Sequence, residues 1–497
     1  MTTRTIKDDE IRRCARKRLG IDKLRDEQTE AIRSVLDGHD TLVVQPTGSG
    51  KSAIYQTAGL LIPGTTVVVS PLLALQRDQL DAIAAQPHDE EAAAINSAGS
   101  ASTTRAAFTK LKAGELEYIF IAPEQLRKPD VIDALKESGV SLFVVDEAHC
   151  ISEWGHDFRP DYLRLGAAIE SLNHPVTLAL TATASRNVRQ EIVERLHMRE
   201  PNIFVRGLDR PNIKLRVDKF DSEEAKAAAL IHHVRWAAKP GIVYVATRKS
   251  AEDLARALRQ EGVEAECYHA GLAARRREEI QEAFMEGRIE VIVATNAFGM
   301  GVDKADVRFV YHFDIPESLD SYYQEVGRAG RDAEPADAIL FYRPQNAGIR
   351  KFQAGSGKLD ESQVEHVLEA LSKGPADPPA VANASGVGPK KTEAILQQLA
   401  DEGVVDYHDG VFEIRQGVDA HESISSVVAH NELLRQRRKE RLQQMQTYAA
   451  IATCRREFLL RYFDDEWGAC VNCDNCTASA GEFLPPEVSG GTRREVA

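Results

Sequence analysis

The run Gln45-Pro-Thr-Gly-Ser-Gly-Lys-Ser52 has the residue types that hold a polyphosphate. Gly48 and Gly50 let backbone N–H groups approach phosphate oxygens with no Cβ in the way. Lys51 has the length to reach β- and γ-phosphates, and the Ser52 hydroxyl suits Mg²⁺. Thr47, Gly48, Ser49, Gly50, Lys51 and Ser52 are therefore candidate nucleotide ligands. A glycine would normally open this pattern; here the place is taken by Gln45. The second piece of the chemistry lies about 95 residues on, at Asp146-Glu147-Ala148-His149. Asp146 can hold Mg²⁺, and Glu147 can position and activate a water against the γ-phosphate. A third piece, Gln324 to Asp332, carries Arg328 and Arg331. Three residues apart on a helical turn they would share a face. From across a cleft they could stabilise charge developing on the γ-phosphate. A solvated basic helix is the plainer alternative for this pair.

These groups need elements to aim them. Thr41–Val44 reads as a short buried strand, and the segment from Ala53 as the helix that receives the loop. The helix N-terminus adds unpaired donors and a partial positive charge. Val67–Leu72, Tyr118–Glu124 and Leu142–Val145 are apolar strands that end in polar turns. With helical stretches between them they indicate a parallel α/β sheet, whose ligands bind at the strands' carboxyl ends. Gln28, seventeen residues before the loop, precedes or opens a helix and can read an adenine edge. The hydroxyls of Thr181 and Thr183 follow another strand and could link hydrolysis to moving parts. The α/β rhythm restarts after Asp209, with strands Gly241–Val245, Ala265–Tyr268 and Val291–Thr295. No second phosphate loop appears there, so this half is expected to complete the first half's site.

Composition bounds the rest. The chain has 497 residues, enough for about three domains. Hydrophobic content of 43% is ordinary for a soluble protein. No apolar run is long enough to span a bilayer, and no secretory leader is visible. A reducing cytosolic setting is expected, with the seven cysteines as thiols or metal ligands. The net charge of −14 argues against coating by nucleic acid over the whole surface, but leaves room for a local basic channel. Cys454, Cys470, Cys473 and Cys476 fit tetrahedral Zn²⁺, with an iron–sulfur cluster as the rival that the spacing disfavours. Cys14, Cys150 and Cys267 read as ordinary thiols.

The stretch from Cys150 to Tyr162 holds Trp154, His156, Phe158 and Arg159, which could stack bases and pair phosphates. Packing of these aromatics into a local core is the alternative. Further on, helices to Glu402 are followed by an alternating Val404–Ile414 segment around Asp409-Gly410. That pattern reads as a winged helix, with Lys390 and Lys391 the candidate DNA contacts. A long helix over 431–451 carries Arg435, Arg437, Arg438, Lys439 and Arg441, either a phosphate-facing stripe or a solvated face. The tail from Thr477 is rich in Gly, Pro and Glu and reads as disordered.

The region from Ile6 to Arg343 resembles the RecQ family of ATP-dependent DNA helicases in helicase superfamily 2. Leu24 to Gln28, the phosphate loop, Asp146 to His149, Trp154 to Tyr162, Thr181 to Thr183, Thr295 to Asp303 and Gln324 to Asp332 come in family order. The resemblance implies 3′→5′ translocation on single-stranded DNA, unwinding of tailed duplexes and a role in repair or recombination. It also implies adenine recognition by Gln28 with Arg25 beside it, Asp303 at the nucleotide, and DNA sensing by the Trp154–Tyr162 loop. The family often has an aromatic where this chain has Ile21, which would weaken nucleotide selectivity. Cys454 to Phe463 and the cysteine cluster resemble the RecQ zinc module. The wing-like segment here precedes the cysteines, whereas in the family it follows them.

The expected architecture is α/β: two RecA-like parallel-sheet lobes, then a winged helix and a helical zinc-binding module. The expected divisions are 1–208, 209–345, 346–420, 421–480 and a tail at 481–497. The expected cofactors are ATP, Mg²⁺ and Zn²⁺; the expected state is a cytoplasmic monomer, associated with the nucleoid in a bacterium. A double-stranded DNA translocase that does not part strands is the alternative. A non-enzymatic DNA-binding regulator fits the intact Lys51, Glu147 and arginines poorly.

Overall fold

The structure is a computed structural model that describes residues 6–71, 73–85, 91–96, 99, 101–152, 159–299, 302, 304–355, 357–408 and 410–479. The Trp154–Phe158 part of the aromatic loop, Asp303 and the tail at 481–497 lie outside these residues.

Short runs of β-branched and apolar residues make the first sheet. Its strands are β1 (Thr41–Val44), β2 (Thr65–Val69), β3 (Ala92–Ile95), β4 (Tyr118–Ile121), β5 (Val140–Val145), β6 (Val176–Thr181) and β7 (Asn202–Val205). They pair in the order β3-β4-β2-β5-β6-β1-β7, all in parallel. β1, β2 and β4 are buried along their whole length, as a sheet covered by helices on both faces requires. The order places β1, which feeds the phosphate loop, and β5, which feeds Asp146, on either side of β6. Their carboxyl ends therefore open on one crevice.

The second sheet comprises β8 (Ile213–Lys219), β9 (Gly241–Tyr244), β10 (Ala265–Tyr268), β11 (Val291–Ala294), β12 (Phe309–His312) and β13 (Ala336–Tyr342). It runs β10-β11-β9-β12-β13-β8, again all parallel. One buried apolar cluster runs from the first sheet (Val44, Val145) through Leu208 and Ile213 into the second sheet and on to Tyr448, Leu459 and Phe463. The two lobes and the zinc module therefore share a core.

A smaller core unites helices Glu361–Leu371, Pro378–Ser385 and Pro389–Asp401 with the antiparallel hairpin β14 (Val405–His408) and β15 (Val411–Ile414). Asp360 and Asp377 cap the first two helices by accepting from Ser362 N and Ala380 N, and Pro389 opens the third. This is a winged helix. The helix that follows runs over Ser423–Ala450, longer at its start than the charge pattern suggests. Its Asn431 accepts from Leu359 N, and Arg435 donates to Gly355 O at 2.6 and 3.1 Å. Arg435 is thus buried against the chain rather than part of a free basic stripe.

Candidate nucleotide and zinc sites

The phosphate loop turns with Gly48 and Gly50 at φ +78° and +79°, the left-handed region that favours glycine. Ser52 is the first residue of the receiving helix, Ser52–Leu61. Lys51 is folded across the loop, donating to Gln45 O at 3.0 Å and Pro46 O at 3.2 Å. Burial pulls its pKa down, against the pull of Glu147 and Asp146, and the Arg331 cation lowers it further. Ser49 is buried, Thr47 half-buried, and Gly48 faces outward.

Gln28 is buried and makes bonds at both ends of its amide. Nε2 donates to Ser49 O and Gly50 O, each at 3.0 Å, and Oε1 accepts from Arg25 N at 2.9 Å. It braces the phosphate loop, so an adenine edge would share or displace these bonds. The Arg25 side chain is exposed beside it.

Asp146 and Glu147 follow β5 directly. Asp146 N donates to Val69 O at 2.9 Å, and Asp146 O accepts from the buried Tyr162 hydroxyl at 3.0 Å. Tyr162, a loop aromatic in the sequence, is therefore a core brace for the carboxylate pair. Burial, with the Glu147 charge adding to it, pushes the Asp146 carboxyl up to about 7. Glu147 sits at φ +49°, a strained backbone for a residue with a Cβ. His149 Nδ1 lies 3.2 Å from Glu147 Oε2 and 2.9 Å from Thr181 Oγ1. Thr181 Oγ1 also donates to Thr183 O at 3.1 Å. The hydroxyl that ends β6 thus bonds His149, whose ring faces Glu147.

The arginines come from the other lobe. Helix Leu319–Val326 ends before them, so they lie on the turn beyond it, and both donate to backbone carbonyls of the 299–302 segment. Buried Arg328 donates to Gly299 O. Arg331 donates to Val302 O at 2.9 Å, and its aliphatic stem lies against the phosphate loop: a Cβ on Gly48 would stand 3.4 Å from Arg331 Cδ. The structure thus brings Lys51, Asp146, Glu147 and Arg331 to one crevice and holds Arg328 in the second lobe's interior.

Two residues that the sequence passes over belong to this arrangement. Arg210 and Asn212, in the linker between the sheets, donate to carbonyls of the arginine turn: Gly327, Ala329 and Gly330 from Arg210, Gly330 and Glu334 from Asn212. Their only signal was an arginine and an asparagine flanking Pro211 at a boundary between two α/β rhythms.

Of the aromatic loop, Arg159 is described: its N–H donates to Cys150 O and its guanidinium to Pro71 O at 3.0 Å. In the winged helix the paired lysines diverge. Lys391 donates to Lys358 O within its own domain. Lys390 lines a cleft of about 1970 Å³ between the winged helix and the first lobe. Arg127, Lys128, Arg164 and Arg195 face it from the lobe, while Glu393, Asp401, Glu402 and Asp406 stand beside it.

The ligand atoms of Cys454, Cys470, Cys473 and Cys476 all lie within 4.8 Å of one another. A tetrahedral Zn²⁺ with Zn–S bonds of about 2.3 Å needs sulfurs roughly 3.8 Å apart, so the four thiols fit the ion. Cys454 caps helix Arg455–Phe463, and Cys473 pairs with Leu215 at the edge of the second sheet. Arg456 donates to Asp209 and to Ile213 O. Arg189 of the first lobe donates to Phe463 O at 2.7 Å and Asp464 at 2.9 Å. The zinc module therefore touches both lobes and the linker.

Comparison with known proteins agrees with this geometry. Residues 25–191 match the DEAD/DEAH box helicase family, 225–333 the helicase conserved C-terminal domain, and 413–477 the RecQ zinc-binding family. The chain is 41% identical over 357 residues to an ATP-dependent DNA helicase RecQ of Pasteurella multocida, covering 71% of this chain and 56% of the relative. It is 40% identical over 347 residues to the probable ATP-dependent DNA helicase RecS of Bacillus subtilis, covering 70% of this chain and 69% of that one. The chain spans little more than half the length of several of the curated relatives it matches. In fold it is similar to the helicase MrfA bound to DNA (TM-score 0.56, 19% identity, 83% of this chain and 60% of that one). It is also similar to the helicase Lhr of Mycobacterium smegmatis bound to single-stranded DNA and AMP-PNP (TM-score 0.52, 19% identity, 82% and 60%). No helix among the described residues is long and apolar enough to cross a membrane.

Proposed function

Since the chain belongs to the RecQ family of ATP-dependent DNA helicases, we propose that it is a DNA-stimulated ATPase that moves 3′→5′ on single-stranded DNA. It unwinds tailed duplexes, and its work lies in DNA repair or recombination, in the cytoplasm and, if the source is a bacterium, at the nucleoid. It acts as a monomer built from units at 1–208, 209–345, 346–420 and 421–480. The observation that carries the reading is the contact of Arg331, from one lobe, with the phosphate loop of the other.

In this reading Thr47 to Ser52 hold the triphosphate, with Gln28 and Arg25 on the base side. Ser52 and Asp146 hold Mg²⁺, which when bound neutralises phosphate charge. Glu147, fixed in its strained conformation and faced by His149, orients the attacking water. Arg331 meets the charge that develops on the γ-phosphate, while Arg328 ties the arginine turn to Gly299. Asp303 completes the nucleotide side of the second lobe. Trp154, His156, Phe158 and Arg159 contact the strand, and Lys390, with Lys391 beside it, meets the duplex. Closure on ATP and release after hydrolysis step the lobes along DNA.

The test is strand separation on 3′- and 5′-tailed duplexes with matched RNA controls. Unwinding from the 3′ tail, lost in Lys51→Ala and Glu147→Gln, is expected. ATP hydrolysis that DNA leaves unchanged, or hydrolysis on duplex without strand separation, would overturn it; the second result is that of a double-stranded DNA translocase.

A further inference from the structure

The turn that carries the two arginines begins where helix Leu319–Val326 stops, so no regular helix follows to serve its carbonyls, and Gly330 O takes one backbone donor, Ala333 N at 3.0 Å. Further donors come from the linker between the lobes. Arg210 spans three of these carbonyls, donating to Gly327 O at 3.3 Å, Ala329 O at 2.9 Å and Gly330 O at 2.7 Å. Asn212 adds donations to Gly330 O at 2.8 Å and Glu334 O at 2.9 Å. A planar guanidinium with five donors in a fixed fork suits three divergent carbonyls; an ammonium at one point does not.

The linker is itself held on its other side. Leu208 N donates to Asp465 at 2.9 Å, and Leu208 O accepts from the Tyr323 hydroxyl. Asp209 pairs with Arg456, and Asn472 donates to Pro211 O. Ile213 O accepts from Arg456 at 2.8 Å. Residues 208–213 are therefore gripped by the zinc module on one side and bonded to the arginine turn on the other. A rotation of the lobes about this linker must carry the turn with it.

We infer that Arg210 is a positioning residue for ATP hydrolysis: it sets the reach of Arg331 toward the phosphate loop and ties that reach to the hinge. The inference rests on the ATPase reading above. Gly330, the carbonyl that both Arg210 and Asn212 hold, is the residue directly before Arg331. A displacement of about 1 Å at such a group can cost on the order of a hundredfold in rate.

The experiment is steady-state ATP hydrolysis by the full chain with saturating single-stranded DNA, for wild type, Arg210→Gln and Arg210→Lys, with thermal midpoints measured alongside. In Arg210→Gln, kcat should fall by about tenfold to a hundredfold. KM for ATP should stay within about twofold, because the nucleotide ligands of the first lobe are untouched. Arg210→Lys should fall nearly as far, since charge without the fork cannot span the turn. A kcat near wild type in either variant overturns the inference. So does a rise in KM with kcat kept, or a loss of kcat that appears in both variants only with a collapsed thermal midpoint, since that marks a role in folding alone. A wild-type chain that hydrolyses no ATP with DNA removes the underlying reading, and this inference with it; an active wild type with unimpaired variants removes only the inference.

Discussion

Arg331 Cδ stands 3.4 Å from where a Cβ on Gly48 would be, which makes the second lobe's arginine turn and the first lobe's phosphate loop direct neighbours. Arg331→Ala should therefore cost about a thousandfold or more in kcat, the scale of a lost arginine finger, with nucleotide binding largely kept. Arg331→Lys should recover little of it. Gly48→Ala has two penalties: φ +78° costs an L-residue about 1–2 kcal/mol, and the new methyl presses on the arginine stem. Single-turnover hydrolysis and binding of a fluorescent ADP analogue separate the two effects. Full turnover in Arg331→Ala would refute the trans-acting role.

Gln28 should act through the loop as well as on the base. Its Nε2 holds Ser49 O and Gly50 O, and a lost buried bond of this kind costs about 1–3 kcal/mol. Gln28→Ala should then raise KM for ATP by about tenfold or more, in line with that energy. Discrimination against GTP should fall as well. An unchanged KM with weakened base selection alone would assign Gln28 to the base and not to the loop.

The raised Asp146 carboxyl makes a pH prediction whose sign is fixed. In the free protein it is protonated up to about 7, whereas an unfolded aspartate ionises near about 3.9. The folded state thus binds more protons between those values, and this group's contribution to stability is lost as pH rises through them. Magnesium nucleotide favours the ionised carboxylate, so its binding near neutral pH should release protons. Titration calorimetry in buffers of different ionisation enthalpy measures this, and Asp146→Asn should abolish the release. A buffer dependence that persists in Asp146→Asn would move the effect to another group.

Zinc removal should disturb the motor and not only its own module, because Cys473 pairs with Leu215 and Asp474 accepts from Val217 N at 2.9 Å. Chelation, or Cys473→Ser, should lower the thermal midpoint and depress DNA-stimulated hydrolysis together. Metal analysis should return one zinc per chain and no iron. Iron with visible charge-transfer absorption would assign the four thiols to a cluster.

The phosphate loop, the carboxylate pair and the four cysteines were legible because their chemistry is local. A glycine turn between a strand and a helix, two acids at a strand end, and thiols at close spacing each need only a few neighbouring residues. The two parallel sheets were legible for a similar reason, since strands buried on both faces must be apolar throughout. Less legible was where long side chains would go. Lys390 and Lys391 are adjacent, yet one lines a cleft and the other folds back on Lys358. Arg328 and Arg331 read as a pair on one helical face, but the helix stops at Val326; both donate to the 299–302 segment, and Arg331 also lies against Gly48.

By itself the sequence determined the fold class, the phosphate loop, the acidic pair, the thiol set and the family, because strand burial and short-range ligand spacing are written in consecutive residues. Only the tertiary structure decided which arginine meets the phosphate loop, what Gln28 holds, and that Arg210 and Asn212 bind the arginine turn. The arginine-turn contacts join residues more than a hundred positions apart, the Arg331 contact crosses the two lobes, and the Gln28 bonds bridge 21 and 22 residues within one lobe. No periodicity records them, since they arise from how two sheets and a zinc module share one core.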